Sequence, residues 1–499
     1  MGARVSATGA LVLLAALLAG LSLVAPLNHD EGQYLAAAAL AAEWRPYRDF
    51  LHLQTPLQIY LFAPLAAIAE DQVLMLLRFV TALCGAGTLA FVYLAQRRLG
   101  VSLKVALLCT LLLALSPPFL FGASVVRNDA LPAMLEAAAL LAGAAALRSA
   151  KGGWRLSLWF LAGASLGLAA SAKVSYLLPL AGLALFHLPR LLNREVQEGL
   201  ASAAGAMFGL LPILAARAAA PEAFDYGVFG YALQAPFDWY AETGAAHRLT
   251  LPNKLWDVGK IVALAPAGAA LTFLAVRRWK SRGKADEAET LLGLFVLAGL
   301  AAALLPTPTW PQYVVPLLPP LFVALGLELT RTPPRAAARK LLIGAFLLSG
   351  LAGLAETANR LLGDSGMAPP AAAREAQWIG GWMRASGAAG RIATLSPQMV
   401  LGSGFPLDRR FAAGPFFYRT GDGVPAEQQR RLHALSPATL AKFLDEAPPA
   451  AIVTGYEGNS RGRDLDAPLR AYAKSRGYKA ERSPVGRATL YLAPSGASE

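Results

Sequence analysis

The stretch that decides the fold reads Asn28-His29-Asp30-Glu31-Gly32-Gln33-Tyr34, and it follows directly on an apolar run that begins at Val5. Its acidic pair therefore lies just outside a predicted membrane helix. Charged side chains are costly to place in or near lipid, so a carboxylate at this position is by default a functional candidate. Asp30, its neighbour Glu31 and Tyr34 are the first candidate site residues.

The same loop carries two more polar clusters before the chain becomes apolar again. They read Trp44-Arg45-Pro46-Tyr47-Arg48-Asp49-Phe50 and Gln54-Thr55-Pro56-Leu57. These clusters add Arg45, Arg48 and Gln54 to the candidate residues. Segment 57–69 is apolar but, at about 13 residues, shorter than the roughly 20 that cross a bilayer. We therefore predict that 57–69, and with it 31–43, forms a helix along the membrane interface.

Composition places the chain among membrane proteins. Of its residues, 56% are hydrophobic and 15% charged, against about a quarter charged in soluble domains, and the mean hydropathy is +0.45. The apolar runs give way to a mixed, charged region, which predicts a membrane domain over 1–362 and a soluble α/β domain over 363–499. Much of the net charge of +13 lies in short loops between apolar runs, so it indicates membrane orientation and no nucleic-acid partner.

The apolar runs predict a mainly α-helical, polytopic membrane bundle of about eleven spans. The predicted spans cover 5–29, 72–96, 103–120, 130–147, 156–172, 174–189, 199–217, 258–276, 290–305, 313–330 and 341–359. Basic clusters at 97–98, 277–284 and 331–340 then face the cytoplasm, as the positive-inside rule requires. This topology predicts a multi-pass protein of the bacterial inner membrane, with a cytoplasmic N-terminus and with Asp30 and the soluble domain in the periplasm.

Further polar residues stand at helix ends on the predicted outer side. Ser124-Val125-Val126-Arg127-Asn128-Asp129 supplies an Arg-x-Asp motif, Lys173 closes the helical run from Gly167, and Tyr313 opens a Tyr-x-x-Pro-x-x-Pro motif. With the Asp30 loop, and in this order, these motifs resemble the GT-C superfamily of integral-membrane glycosyltransferases. Within it they are most similar to the branch of protein O-mannosyltransferases and lipid A aminoarabinose transferases.

The resemblance implies a donor sugar carried on polyprenyl phosphate, an acceptor hydroxyl on a glycan, lipid or protein, and the loop Asp as catalytic residue. Membrane lipids are the other implied partners. Two departures weigh against lipid A as the substrate. The aminoarabinose transferases carry a Lys before the Pro that ends the loop, where Gln54-Thr55-Pro56 stands here, and a basic residue before the Tyr motif, where Thr309-Trp310-Pro311-Gln312 stands.

The expected chemistry matches these residue types. A phosphate leaving group needs no general acid but does need positive charge in a site poor in water, for which Lys173, Arg127, Arg48 and Arg45 are the candidates. The acceptor hydroxyl needs a base, and a carboxylate can serve. Asp30 is the candidate base, with Glu31 as its substitute. The other site candidates are Asp129, Tyr313, Gln54 and Tyr34; no cofactor is implied, and a divalent cation at Asp30 or Asp129 stays open.

Several of the candidates also have a plain structural explanation. Asp30 and Asp129 precede helices, where Asp is a favoured N-cap. Lys173 can extend its aliphatic stem so that its ammonium reaches the membrane interface. Arg45 and Arg48 can anchor a loop to lipid headgroups, and Tyr313 can belong to an interfacial aromatic belt. Two other function classes also stay open. One is a multi-pass transporter, although its broken helices and related halves are not evident; the other is a non-catalytic membrane subunit of an envelope-glycan pathway.

The C-terminal region predicts an α/β domain. Helices are expected at 371–385 and 465–476, with strands at 391–395, 450–454 and 488–492. The region contains no nucleotide-binding loop or metal-ligand motif. It is rich in basic residues, which suits an acidic acceptor glycan, although a lid or a stabilising role is equally open.

Overall fold

The computed structural model describes residues 2–192, 196–263, 265–281, 283, 285–363 and 367–494. The chain forms two compact units, each assembled from separate segments. Unit 1 comprises Met1–Ser22, Val80–Ile213 and His247–Asp364, and unit 2 comprises Leu23–Phe79, Leu214–Ala246 and Ser365–Glu499. Most of the described chain is helical, and four short strands form the sheet.

The helices of the first half are α1 (Gly2–Val24), α2 (Glu31–Leu40), α3 (Leu57–Ala69), α4 (Val73–Arg98), α5 (Leu103–Ala114), α6 (Pro117–Ser124), α7 (Ala130–Leu147), α8 (Gly153–Ala172), α9 (Leu177–Leu192) and α10 (Gln197–Ala219). Those that follow are α11 (Pro221–Asp225), α12 (Tyr231–Glu242), α13 (Leu251–Ala263), α14 (Pro266–Ser281), α15 (Glu287–Leu304), α16 (Leu318–Arg331) and α17 (Ala336–Gly363). The C-terminal region adds α18 (Pro369–Ala385), α19 (Pro415–Tyr418), α20 (Ala426–Arg431), α21 (Leu440–Glu446) and α22 (Ala467–Ser475).

The strongly apolar helices confirm a polytopic membrane protein. Among the described residues, eight helical stretches are long and apolar enough to cross a bilayer, or ten if two bent pairs each count as one span. The bent pairs are α5 with α6 (68°) and α13 with α14 (97°). The predicted span 174–189 corresponds to a shorter apolar helix, so the count of eleven is not confirmed.

Segment 57–69 joins α4 in one apolar stretch, Leu57–Arg98, of 42 residues. A straight helix of that length would measure about 63 Å, twice the hydrocarbon thickness. The stretch is interrupted at Glu70–Gln72 by a 3₁₀ turn, where Glu70 has a φ of 48°. Both loop helices, α2 and α3, are present; their position at the membrane interface stays a prediction.

Close helix packing in unit 1 fixes the end of α8. A Cβ at Gly163 would lie 2.0 Å from the Ser202 carbonyl oxygen, and one at Gly205 would lie 2.0 Å from the Phe160 carbonyl oxygen. Since these glycines lie on α8 and α10, the two backbones touch where only hydrogen fits, as small residues allow in membrane proteins. The contact holds α8 and α10 together, and Lys173 directly follows α8.

Unit 2 contains the sheet, made of β1 (Ile392–Ala393), β2 (Ala451–Thr454), β3 (Lys479–Arg482) and β4 (Thr489–Leu492). The strand order is β1-β2-β4-β3. β1 pairs parallel with β2, and the other two pairings are antiparallel. The predicted strands at 391–395, 450–454 and 488–492 and the predicted helices at 371–385 and 465–476 are confirmed, and β3 is a strand that the sequence did not predict.

The core of unit 2 also includes the loop that follows α1. Ala36, Ala37 and Leu40 of α2 belong to one buried cluster with Ile379 and Ile392 of the C-terminal region. Residues 214–246 fall in the same unit. The domain division at residue 363 stays a prediction. Of the basic cluster at 277–284, Arg282 and Lys284 lie outside the described residues.

Candidate functional site

The polar centre of unit 1 is an ion-pair network around Asp129. The Arg127 Nε atom donates to the Asp129 Oδ2 atom at 3.0 Å, and the Lys173 ammonium donates to Oδ1. All three residues are buried, Asp129 completely. The network, called here the Asp129 network, brings together three residues that the sequence placed in two separate loops.

Helix ends position these side chains. Asp129 immediately precedes α7 and Lys173 immediately follows α8, and the two helices pack side by side, so their ends meet. The Asp129 carboxylate makes no capping hydrogen bond to α7. It accepts from the two cations instead, so helix capping does not account for it. The Lys173 side chain points inward to a buried carboxylate, unlike a lysine that reaches the interface.

The Asp129 network places two cations, Arg127 and Lys173, around one carboxylate in a buried position. Burial raises the pKa of the Asp129 carboxyl, but Lys173 and Arg127 outweigh that effect and hold the pKa below its usual range. The Tyr313 ring adds an aromatic face, with the Lys173 Nζ atom 5.3 Å from its centroid. Such a network can bind an anion.

The two neighbouring carboxylates of unit 2, Asp30 and Glu31, lie in different environments. Glu31 forms a buried ion pair with Arg78, in which Nε donates to Oε1 at 2.9 Å and Nη2 donates to Oε2 at 2.5 Å. Arg78 also donates to the carbonyl oxygens of Ala25 and Pro26. Both charged side chains are fully buried. Arg78 of α4 therefore connects the start of α2 with the segment that follows α1.

Asp30 stands beside this pair and remains accessible, since 29% of its side chain is exposed. It occupies the N-cap position of α2, yet its side chain makes no capping hydrogen bond. The His29 Nδ1 atom lies 3.7 Å from the Asp30 Oδ1 atom, and the opposite ring nitrogen lies 3.1 Å from Glu457. A carboxylate that is partly exposed in this way can receive a proton from a substrate.

The remaining loop candidates also lie in unit 2. Arg48 pairs with Asp49 at 3.0 Å and is half exposed, while the Arg45 side chain is exposed. Gln54 accepts a hydrogen bond from the Tyr47 hydroxyl through its backbone carbonyl, and Tyr34 is buried in α2. The candidates thus form two groups: Arg127, Asp129, Lys173 and Tyr313 in unit 1, and Asp30, Glu31, Tyr34, Arg45, Arg48 and Gln54 in unit 2.

The sequence reasoning missed two residues, Arg78, which contacts Glu31, and Glu457, which contacts His29. Arg78 was counted as part of a membrane span, although a lone arginine in an apolar run is itself a signal of function or pairing. Glu457 is buried and contacts His29. No local pattern identifies it, because it lies 428 residues away from His29.

The residues present fit a divalent cation poorly. Both oxygens of Asp129 already accept from cationic groups. Among the described residues, no group of three His, Cys, Asp or Glu side chains comes together as metal ligands do. We therefore derive no chemical step through a metal at either Asp30 or Asp129.

Residues 67–224 match the family model of dolichyl-phosphate-mannose-protein mannosyltransferases. This range includes the Arg127, Asp129 and Lys173 of the Asp129 network and lies downstream of Asp30. No curated protein matches the chain by sequence at a significant level.

Solved structures resemble the chain over nearly its whole length. Apo ArnT from Cupriavidus metallidurans superposes with a TM-score of 0.64 and 15% identity, covering 99% of both chains. ArnT bound to undecaprenyl phosphate superposes with a TM-score of 0.60 and 14% sequence identity, covering 98% of each chain. The oligosaccharyltransferase of Archaeoglobus fulgidus, in complex with Zn and sulfate, superposes with a TM-score of 0.54 and 14% sequence identity, covering 98% of this chain and 74% of that one. At sequence identities of 14–15%, these similarities show a shared fold and no more.

Proposed function

From the premise that the chain has the GT-C fold and matches the mannosyltransferase family model over residues 67–224, we propose that it is a membrane glycosyltransferase. It moves a sugar from a polyprenyl-phosphate donor to an acceptor hydroxyl of a glycan, lipid or protein on the external face of the bacterial inner membrane. The observation that carries this proposal is the buried Asp129 network, in which two cations surround one carboxylate.

The Asp129 network suits the donor phosphate. When the bond between the anomeric carbon and the phosphate oxygen breaks, negative charge grows on the departing polyprenyl phosphate. Arg127 and Lys173 stabilise that charge, and their burial strengthens the interaction because little water competes. Asp129 fixes the position of both cations before the donor arrives, so no reorganisation is needed during the reaction.

Asp30 is suited to act as the base for the acceptor hydroxyl. As the acceptor oxygen bonds to the anomeric carbon, its proton passes to the Asp30 carboxylate. His29, held by Glu457, contacts the same carboxylate and keeps it oriented. Glu31 is the less suitable base, because its two oxygens are already engaged by Arg78. Gln54, Tyr34, Arg45 and Arg48 belong to the same unit as supporting loop residues.

The proposal is tested with the purified chain in detergent, a radiolabelled polyprenyl-phosphate sugar and envelope glycan or lipid extracts as acceptors. We expect label to appear in an acceptor fraction and free polyprenyl phosphate to be released in equal amount. Release of labelled monosaccharide alone would indicate a hydrolase. Failure to consume any polyprenyl-phosphate sugar, by a chain with a normal melting temperature, would contradict the proposal.

A further inference from the structure

A cavity of about 490 Å³ opens in unit 2 where β1 and β2 begin. Its volume falls in the range typical of small-molecule sites. Among its lining residues are four arginines and two carboxylates: Arg391, Arg409, Arg410, Arg430, Asp408 and Glu446. None of the residues that line the cavity is assigned above to the donor or to the base, and none of the proposed chemistry uses it.

The two carboxylates are already paired. Arg410 donates to Asp408 and also to the backbone carbonyls of Phe443 and Ala447. Arg430 pairs with Glu446, with Nη1 at 2.7 Å from Oε2. Each acidic group of the cavity is therefore paired with one arginine.

Arg391 and Arg409 are left with their charge uncompensated. Within the described part of the chain, neither has a carboxylate at ion-pair distance. Both guanidinium groups lie against one aromatic ring, that of Trp44, with their central carbons 4.5 Å (Arg409) and 5.4 Å (Arg391) from its centroid. Asp49 exerts some attraction on Arg409 but is paired with Arg48. Two like charges held on one indole form a preorganised anion site.

His433 lines the same cavity and is neutral near pH 7. Burial lowers the pKa of its imidazole, and the charge of Arg409 lowers it further, against smaller opposing effects from the Arg48 backbone and Asp49. The His433 backbone also adopts a φ of 52°, a left-handed conformation that is uncommon outside glycine and is often found at ligand sites. A neutral imidazole offers a hydrogen-bonding group without adding charge.

We propose that this cavity binds an anionic saccharide, with Arg391 and Arg409 holding a phosphate or carboxylate group and the neighbouring neutral groups holding sugar hydroxyls. Planar guanidinium groups match such anions with paired hydrogen bonds. The further statement that this saccharide is the acceptor rests on the proposed function. The existence of the binding site does not depend on the proposed function, because the site is defined by charges and a cavity within unit 2.

The test is isothermal titration of the full purified chain in an uncharged detergent, without donor. The titrants are glucose 6-phosphate, glucose, inorganic phosphate and glycerol 3-phosphate. We expect glucose 6-phosphate to bind more tightly than inorganic phosphate, and glucose to bind least. Tighter binding of glycerol 3-phosphate than of glucose 6-phosphate would assign the cavity to a lipid headgroup and overturn the proposal.

Variants separate the site from the general basicity of the chain. The double variant R391Q/R409Q should bind glucose 6-phosphate about ten- to hundredfold more weakly, as the loss of charge-assisted hydrogen bonds predicts. R374Q removes an exposed arginine outside the cavity and should bind as the wild type does. The variant R391K/R409K keeps both charges but loses the paired hydrogen bonds of the guanidinium groups, so its affinity should lie between those of the wild type and R391Q/R409Q.

Each result has a distinct meaning. Unchanged affinity in R391Q/R409Q, or an equal loss in R374Q, overturns the site. Binding by the wild type combined with no sugar transfer in the donor assay contradicts the proposed function and leaves the site standing. Should R391Q/R409Q unfold, the comparison of R391K/R409K with R374Q still decides. The site predicts weaker binding in the lysine variant than in R374Q, and equal binding in the two variants overturns it.

Discussion

The guanidinium of Arg78 donates to both carboxylate oxygens of Glu31, at 2.9 and 2.5 Å, and neither side chain is exposed. Removing one partner of a buried pair leaves an uncompensated charge, which costs about 3–5 kcal/mol. We expect E31Q and R78M each to lower the melting temperature of the detergent-solubilised chain. The double variant E31M/R78M should regain part of the loss, because no charge remains buried. A double variant as unstable as the sum of the two single variants would show that the pair is not coupled.

Neutralising either cation of the Asp129 network tests its role in donor binding. K173Q and R127Q each leave Asp129 with one cationic partner, so folding should survive. Each variant should weaken the affinity for polyprenyl-phosphate donor by about 1.5–3 kcal/mol, the value of a charge-assisted hydrogen bond. The donor affinity is measured by titrating the donor and following the quenching of protein fluorescence. The control is R217Q, which removes a half-exposed arginine paired with Asp225. Wild-type donor affinity in both K173Q and R127Q would show that the two cations have a structural role only.

His52 should make stability fall in acid. Burial lowers the pKa of its imidazole to about 3, far below the roughly 6.5 of an unfolded chain. The unfolded state therefore binds a proton that the folded state does not, and below pH 6.5 stability should drop by about 1.4 kcal/mol per pH unit until the pH approaches the folded value. H52Q should show a smaller drop in melting temperature between pH 7 and pH 5. Parallel pH profiles of wild type and H52Q would refute this assignment.

The predicted topology places the basic clusters and the C-terminal region on opposite sides of the membrane. Reporter fusions after Ser281, within the cluster at 277–284, and after the C-terminus should report cytoplasm and periplasm respectively. A fusion after Arg98 serves as a second cytoplasmic reference. Fusions after Ser281 and the C-terminus that report the same side would rule out the orientation proposed for Asp30.

The sequence predicted the apolar helices well, because long hydrophobic runs are a direct consequence of bilayer thickness. It predicted less well how they are bent. Pro117 begins the second helix of one bent pair and Pro266 that of the other, yet hydropathy averages over such breaks. The strand β3 was missed because Lys-Ala-Glu-Arg is polar and mostly exposed, as suits an edge strand, and carries no hydrophobic alternation.

Within the candidate site, sequence order identified the residues but not their pairing. Arg127 and Asp129 are two residues apart, and their contact could be expected; the contact of Asp129 with Lys173, 44 residues away, depends on the packing of α7 against α8. The roles of Asp30 and Glu31 looked interchangeable in sequence. In the structure Glu31 is fully buried against Arg78, whereas the Asp30 side chain is partly exposed.

The most direct test of the account is the turnover of D30N. Asparagine keeps the size of the side chain and can still accept hydrogen bonds, and the wild-type carboxylate makes no capping bond to α2, so the melting temperature should hardly change. The variant loses the base, so sugar transfer should fall by about two to four orders of magnitude. D71N, which alters an exposed aspartate after α3, should retain wild-type turnover. A folded D30N enzyme with near-normal turnover would contradict the assignment of Asp30 as the catalytic base.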